Sequence, residues 1–559
     1  MDVVVRIAGE AGQGVETAGG VLADALAGEG VHIFVTQTYM SRIRGGLNWV
    51  DVRIGDRELF SGAEKADLVV ALSAEGLQVL GQDVTETGKI LFDGKDIPQA
   101  VCLPFSDMAR KLTGSRIMAN TVAAGAVFVL LGYEVEGLCR YLTKVFGKKG
   151  REVAEQNVLC ARRGAELAMA YRGAVPGPRP VGAPPFVYSG NEALGLGAAT
   201  AGVKFATAYP MTPSTGIMTF LAGVADDYGI VVEQAEDEIA AVNMVCGAVY
   251  AGVPALTVTS GGGFALMTEG VSLAGMLELP LVIVLAQRPG PATGLPTRTA
   301  QQDLRFALHA GHGEFPRAIY APGSVQQAYE LMRRAQETAH RFQTPVILLS
   351  DQFLADQRKN LPRLDGTMKP INRHVLCDAG ADYVRYKVTE SGISPRAIPG
   401  SGTFVVCDSD EHTEDGHITE DLRARVRLQN KRMAKEAGMQ AEALLPELYG
   451  VPDAECTLLA WGSTYGPCRE AVDILTQRGV SAAMVHFSQV WPIHGSVVKS
   501  VLFPRGWQAG KRIVSVEGNA TGQFASVLRE QGVLESCEYM LRYDGLPFTG
   551  EEIARRLKA

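Results

Sequence analysis

No two of the nine cysteines stand as a C-x-x-C pair, and none has a partner at metal-ligand spacing. That argues against an iron–sulfur cluster or a structural zinc site carried by this chain alone. The cysteines read as small buried hydrophobes, and a disulfide framework is not expected. No charge-free apolar run is long enough to span a bilayer. The opening residues, MDVVVRIAGEAGQG, carry an acid at position 2 and pass straight into a strand-like run, so they do not read as a signal peptide. A cytoplasmic protein without a membrane partner is expected. Excess positive charge is also missing. The net charge is −8, so nucleic acid is not an expected partner.

The 559 residues are 47% hydrophobic and 20% charged, enough for roughly three or four domains with ample cores. Short β-branched runs alternate with helical patterns from the start, which predicts an α/β domain over 1–172 with a mainly parallel sheet. RGAVPGPRPVGAPP, from Arg172, is rich in Pro and Gly and reads as a linker over 173–185. Residues 186–351 repeat the alternation with near-continuous apolar strands, as in a parallel sheet covered on both faces. A charged, less regular segment follows over 352–450, and 451–559 returns to α/β.

Four stretches break regular structure just after a predicted strand. The first is AYPMTPSTG, Ala208–Gly216. Pro210 and Pro213 lack N–H donors and bias the residues before them to extended backbone, so the segment is a turn. Ser214 or Thr215 is placed to cap the helix that follows. The second, EQAEDEIAAVNMVCGA, sets Glu236, Asp237 and Glu238 at a helix start. Acids there suit the helix dipole, but an inward Glu238 would need a partner. The third is TSGGG, ending at Gly263. The fourth, AQRPGPATGLPTRTAQQDL, puts Arg288 at a strand end, with Asp303 as an acid it would otherwise pair with. Ligands bind outside the carboxyl ends of parallel strands, so Thr212, Glu238, the Gly261–Gly263 turn and Arg288 are expected to share one crevice. A hydroxyl, a buried carboxylate and an arginine suit an anionic carbonyl substrate and a nitrogenous cofactor.

GEAGQG, from Gly9, follows the first strand and opens a helix. It is either a phosphate-approach loop or a tight turn with no ligand. SRIRGG, with Arg42 and Arg44, would add charge for a polyphosphate. The next strand, VHIFVTQTY, offers no acid for a ribose, which disfavours NAD. His412 and His417, with Glu411, Glu414 and Asp415, match no zinc spacing and read as a solvated acidic loop, so no metal ligands are assigned.

These motifs together resemble the α subunit of 2-oxoacid:ferredoxin oxidoreductases, in the form with a γ domain fused in front. GEAGQGV and SRIRGG resemble the γ domain. YPMTPST, EDEIAAVNMVCGA, TSGGGFALMTEG and AQRPGPATGLPTRTAQQDL resemble the pyrimidine-binding domain of this thiamine diphosphate family. EHTEDGHITED and NKRMAKE are similar to 2-oxoglutarate-type α subunits, and EGNATGQFASVLR and RYDGLPFTGEE to a transketolase C-terminal-like domain. The resemblance implies three α/β domains. It implies that Glu238 contacts N1′ of the thiamine aminopyrimidine, that Tyr209 and Pro210 line the cofactor, that Thr212 contacts the 2-oxoacid and that Arg288 pairs with its carboxylate. Gly9, Gly12, Gln13 and Gly14 match a loop that binds coenzyme A, a substrate, and Arg42 and Arg44 lie where related chains carry basic residues. The Gly-Asp-Gly motif that holds the diphosphate through Mg²⁺ is missing here. The resemblance therefore implies a β subunit supplying Mg²⁺, the diphosphate site and a [4Fe–4S] cluster, with ferredoxin as acceptor and an (αβ)2 heterotetramer. The implied reaction is oxidative decarboxylation of a 2-oxoacid to an acyl-CoA, with 2-oxoglutarate as the leading substrate. Pyruvate, branched-chain, aryl or broad specificity are the alternatives within the family, and a non-catalytic coenzyme A-binding assembly subunit is the alternative outside it.

Overall fold

A computed structural model describes residues 1–10, 12–40, 46–95, 97–503 and 511–557. The chain forms two compact units. One comprises Met1–Ser189, Asp356–Leu364 and Thr549–Ala559; the other comprises Gly190–Ala355 and Asp365–Phe548.

The first unit is built on an eight-stranded sheet. Its order is Val101–Cys102, Val84–Phe92, Ala66–Ala71, Asp2–Glu10, Leu47–Gly55, His32–Thr38, Arg358–Leu361 and Phe186–Ser189. The first three pairings are parallel and the other four antiparallel. This corrects the expectation of a mainly parallel sheet. Most of Leu47–Gly55 is buried, so it lacks the alternating pattern that marks a half-solvated antiparallel strand. Arg6 crosses to Asp51 on the neighbouring strand in a bidentate pair of 2.7 and 2.8 Å. The helices Ala119–Leu130 and Arg151–Ala168 pack so closely that a Cβ on Gly125 or Gly164 would strike the facing helix's backbone.

The second unit carries two sheets over one hydrophobic core. The larger has the order Gln489–Trp491, Ala318–Tyr320, Val346–Asp351, Val282–Gln287, Ala255–Thr259, Phe205–Ala208 and Val231–Gln234. All its pairings are parallel except that of Gln489–Trp491. The smaller has the order Glu447–Gly450, Ala482–Phe487, Cys456–Trp461, Arg512–Glu517 and Glu538–Leu541.

The charged segment over 352–450 has a buried centre. Its helix Leu422–Ala441 turns Lys431 and Lys435 inward onto Glu278, at 2.6 and 2.5 Å. All three side chains are almost fully buried. Burial would raise the Glu278 carboxyl, but Lys435, Lys431 and Arg385 together hold it well below the usual carboxylate range. The loop with the two histidines is not simply solvated. His412 is buried against the Tyr386 ring, and Glu411 accepts hydrogen bonds from Arg425 and Arg432. His417 stays exposed beside Asp415. Five of the nine cysteines are buried, and all nine are free thiols. Among the described residues, no helix is long and apolar enough to cross a membrane.

Candidate active site

The larger sheet of the second unit has a topological switch point. From Phe205–Ala208 the chain moves to one side, to Val231–Gln234; from Ala255–Thr259 it moves to the other, to Val282–Gln287. Such a reversal opens a crevice beyond the carboxyl ends of the two adjacent strands. The four strand-end motifs converge there.

The turn after Phe205–Ala208 is held by side chains through three successive carbonyls. Ser214 Oγ donates to Met211 O at 2.7 Å, Arg288 Nη1 to Thr212 O at 2.8 Å, and Asn191 Nδ2 to Pro213 O at 3.1 Å. Ser214 does occupy the cap position of the helix Thr215–Gly223, but its side chain makes no capping bond. The expected cap is replaced by a brace on the turn. Gly216 leaves room for Asn191, whose Nδ2 would lie 2.6 Å from a Cβ there. Tyr209 and Pro210 are exposed at the crest, and Thr212 is half-buried.

Glu238 opens the helix Glu238–Tyr250, where Asp237 caps by accepting from Ala240 N at 2.7 Å. The three acids therefore separate. Glu236 is exposed, Asp237 caps, and Glu238 is 4% exposed. Glu238 Oε1 is buried without a hydrogen-bond partner among the described residues. It lies against the first turn of the helix Gly261–Met276, where a Cβ on Gly263 would strike both Glu238 Oε1 and Thr259 Oγ1. The glycines after Thr259 make that close approach possible. A buried carboxylate oxygen with no donor is costly, so its retention calls for a ligand.

Arg288 leaves the end of Val282–Gln287. Among the described residues it makes no ion pair, and its bond to Thr212 O leaves further guanidinium N–H groups to donate. Burial lowers its pKa, and the field of Asp303 opposes that shift. Asp303 is 9% exposed with Oδ2 unpartnered among the described residues, and burial pushes its carboxyl up to about 6 against the pull of Arg288. It sits on the other side of the same helix start, 2.8 Å from where a Cβ on Gly261 would lie. Sequence reading treats Asp303 only as a structural partner for Arg288. Its depth depends on the missing Cβ of a residue remote in sequence, which no local pattern reveals.

In the first unit, Gly12 and Gly14 both adopt left-handed backbone, with φ of 96° and 71°, and Gly14 begins the helix Val15–Gly28. They line a cavity of about 550 Å³. Gln13 also lines it, but its side chain braces the loop: Oε1 accepts from Glu10 N at 2.7 Å and Nε2 donates to Leu72 O. Gly9 lies in the first strand, paired with Asn48, and is not part of the lining. Arg42 and Arg44 fall outside the described residues. Two cations that sequence reading misses, Arg116 and Lys149, line the same cavity. Arg116 lies in the connection between Phe105–Thr113 and Ala119–Leu130 and Lys149 in the short turn Gly147–Lys149, and neither carries a motif.

Comparison with known proteins follows the same division. Residues 4–167 match the family described as pyruvate ferredoxin/flavodoxin oxidoreductase. Residues 196–431 match the family described as pyruvate flavodoxin/ferredoxin oxidoreductase, thiamine diphosphate-binding. The chain is 31% identical to 2-oxoacid:ferredoxin oxidoreductase 2, subunit alpha, of Aeropyrum pernix, covering 100% of this chain and 97% of that one. It is 28% identical to the 2-oxoglutarate oxidoreductase subunit KorA of Mycobacterium tuberculosis, covering 100% and 91%. Among solved structures it is similar to a 2-oxoglutarate:ferredoxin oxidoreductase from Magnetococcus marinus with 2-oxoglutarate, coenzyme A and succinyl-CoA bound. The TM-score is 0.91 and the identity 32%, over 100% of this chain and 99% of that one. With its switch-point crevice and its glycine-loop cavity, the chain belongs to the 2-oxoacid:ferredoxin oxidoreductase α subunits.

Proposed function

We propose that this chain supplies the cofactor-activating and carboxylate-binding half of an oxidoreductase that converts 2-oxoglutarate to succinyl-CoA. The observation that carries the reading is Glu238 Oε1, buried against Gly263 with no hydrogen-bond partner among the described residues. That oxygen fits the N1′ position of a thiamine aminopyrimidine, the group the family binds. When bound, thiamine diphosphate supplies the electron sink that makes loss of CO2 from a 2-oxoacid possible. Glu238 holds a proton at N1′ and so sets the protonation state of the ring. Thr212 offers its hydroxyl to the 2-oxoacid from a turn braced on both sides. Arg288 receives the 2-oxoacid's carboxylate through the N–H groups that Thr212 O leaves free. Tyr209 and Pro210 border the ring. Overall, the 2-oxoacid anion and the coenzyme A thiol give acyl-CoA, CO2, one proton and two electrons.

Coenzyme A fits the cavity of the first unit, with the Gly12–Gly14 backbone and the cations Arg116 and Lys149 meeting its phosphates. A β subunit completes the enzyme in an (αβ)2 assembly, with Mg²⁺, the diphosphate and a [4Fe–4S] cluster held on its side and ferredoxin as acceptor. Tyr209, Ile239, Met244 and Leu266, exposed apolar residues on the elements of the crevice, give such a partner area to cover. A non-catalytic assembly role would leave Glu238 without a reason to be buried bare. The test is turnover of a panel of 2-oxoacids by the purified complex with coenzyme A and an artificial electron acceptor. The expected result is the highest kcat/KM with 2-oxoglutarate. A preference for pyruvate or an aryl 2-oxoacid would overturn the substrate assignment, and no turnover with any would overturn the whole reading.

A further inference from the structure

Two carboxyl groups, not one, are buried against the first turn of the helix Gly261–Met276. Glu238 lies at Gly263 and Asp303 at Gly261, and each has an oxygen with no hydrogen-bond partner among the described residues. Glu238 is accounted for by the cofactor role proposed above. Asp303 is not. Its backbone is fixed, with N–H donating to Gln287 Oε1 at 3.0 Å and C=O accepting from Ala307 N, and its side chain is buried. Its carboxyl is within the electrostatic reach of Arg288 but not within ion-pair distance of it. Arg288 is held instead by Thr212 O. Asp303 therefore does not anchor the arginine; it competes for the arginine's charge.

We propose that Asp303 is a positioning residue that couples capture of the 2-oxoacid carboxylate by Arg288 to the uptake of one proton. The inference rests on the reading of Arg288 as the carboxylate receptor. Two anions facing one guanidinium repel each other, and Asp303, the buried one with an unpartnered oxygen, is the one that protonates. Burial has already brought the Asp303 carboxyl up to about 6 in the free chain. An arriving carboxylate neutralises the field of Arg288, which now favours ionised Asp303, and adds a second negative charge. Both effects push Asp303 further up. Above about pH 6, binding then consumes a proton, and the apparent affinity falls as pH rises.

The charged groups around Asp303 are few. Arg288 faces it from the end of Val282–Gln287, and Glu238 lies two residues along the turn of the glycine helix, at Gly263. Arg305, on its own helix, is turned away to Glu530. The helix Gln523–Glu530 presents the neutral Gln523 amide, which accepts from Arg305 N and donates to Gln302 O. Asp351, the register partner of Gln287 on the next strand, is also pushed up to about 6 by burial. Its carboxylate, unlike that of Asp303, accepts from Leu354 N at 2.9 Å, and it has no part in the field at Arg288. A variant at Asp303 that leaves Asp351 in place separates the two.

The experiment is calorimetric binding of oxamate, a non-reacting isostere of the 2-oxoacid head, to the assembled enzyme. It is run in buffers of different ionisation heat, beside the pH profile of KM for 2-oxoglutarate. The wild type should take up protons with oxamate above about pH 6, at most one per site, and its KM should rise with pH over the same range. Asp303→Asn should bind oxamate with no linked proton and show a flat KM between about pH 6 and 8. Asp303→Glu keeps the ionisable group and should keep the uptake, which covers the case in which the Asn variant does not fold. Arg288→Lys tests the reading beneath. If it leaves oxamate binding unchanged, the receptor assignment falls and this inference falls with it. If it weakens oxamate while Asp303→Asn still takes up the proton, the receptor stands and the coupling is overturned.

Discussion

Two glutamates of the second unit are buried to nearly the same degree and treated in opposite ways. Glu278 is 1% exposed and grips Lys431 and Lys435, with Arg385 donating to its backbone carbonyl at 2.9 Å. Glu238 is 4% exposed and leaves Oε1 bare. A buried charge is expensive either way. At Glu278 the protein offsets the cost with its own cations and pins the Leu422–Ala441 helix to the body of the unit. At Glu238 the compensation is left for something that arrives. Depth of burial alone therefore does not distinguish a structural carboxylate from a working one; the presence of an internal partner does.

Substitutions at these positions should separate the two cases. Glu278→Gln strands two buried lysines and should cost roughly 3–5 kcal/mol of stability, read as a lowered denaturant midpoint, with the turnover of the remaining folded enzyme unchanged. The pH dependence follows from the same pairing. The folded carboxyl lies below its ordinary 4.5, so its stabilisation is present above that value and is lost as pH falls below it. Glu278→Gln should remove this part of the acid limb; an unaltered acid limb would mean the triad is not holding the helix. Glu238→Gln should do the reverse. Turnover should drop on the order of 10²-fold or more, while melting temperature stays level or rises, because an unpaired carboxylate has gone. Near-normal acyl-CoA formation would erase the contrast between the two glutamates.

Arg288→Lys is expected to weaken every 2-oxoacid by a similar factor, roughly 1.5–3 kcal/mol for one charged contact, with the substrate rank order kept. Loss for a single substrate, or a stability loss with unchanged kinetics, would take Arg288 out of the carboxylate role. Gly12→Val places a β-branched residue at φ 96° and should raise KM for coenzyme A while leaving decarboxylation without coenzyme A intact. Decarboxylation failing along with it would unseat the loop assignment. The smallest effect is expected at Glu236, which is exposed at the same helix start. Glu236→Gln should move stability by about 0.5 kcal/mol or less and leave turnover alone, and a large loss there would mean the wrong acid has been chosen.

Much of the crevice was legible because its signals are local. Prolines at 210 and 213 force a turn, an acid after a strand opens a helix, and three glycines in a row ask for a close approach. Even the prediction of a shared crevice needed only parallel strands and their carboxyl ends. What escaped depends on distant chain. Leu47–Gly55 is buried too evenly to display its antiparallel pairing. Arg358–Leu361 reads RKNL, with no strand pattern of its own, and becomes a strand because the sheet edge accepts it. Neither Ser214 nor Thr215 caps: Ser214 already has helical backbone, with φ −77° and ψ −17°, and its hydroxyl turns back to donate to Met211 O. Asp303 is buried through a contact at Gly261, and Arg116 and Lys149 meet the glycine loop only in three dimensions.

The interleaving of the two units has a consequence for how the protein is made. Among the described residues Phe186–Ser189 pairs only with Arg358–Leu361, and that strand in turn bridges it to His32–Thr38. During synthesis the chain emerges from its amino end. The first unit therefore waits, with the edge at His32–Thr38 open, until more than half of the polypeptide has left the ribosome. Its last helix, Gly550–Arg556, arrives later still. A nascent chain halted near residue 190 would display an unpaired strand edge, the feature that invites association with other chains. Pausing or truncation within the second unit should thus appear as aggregation of the first.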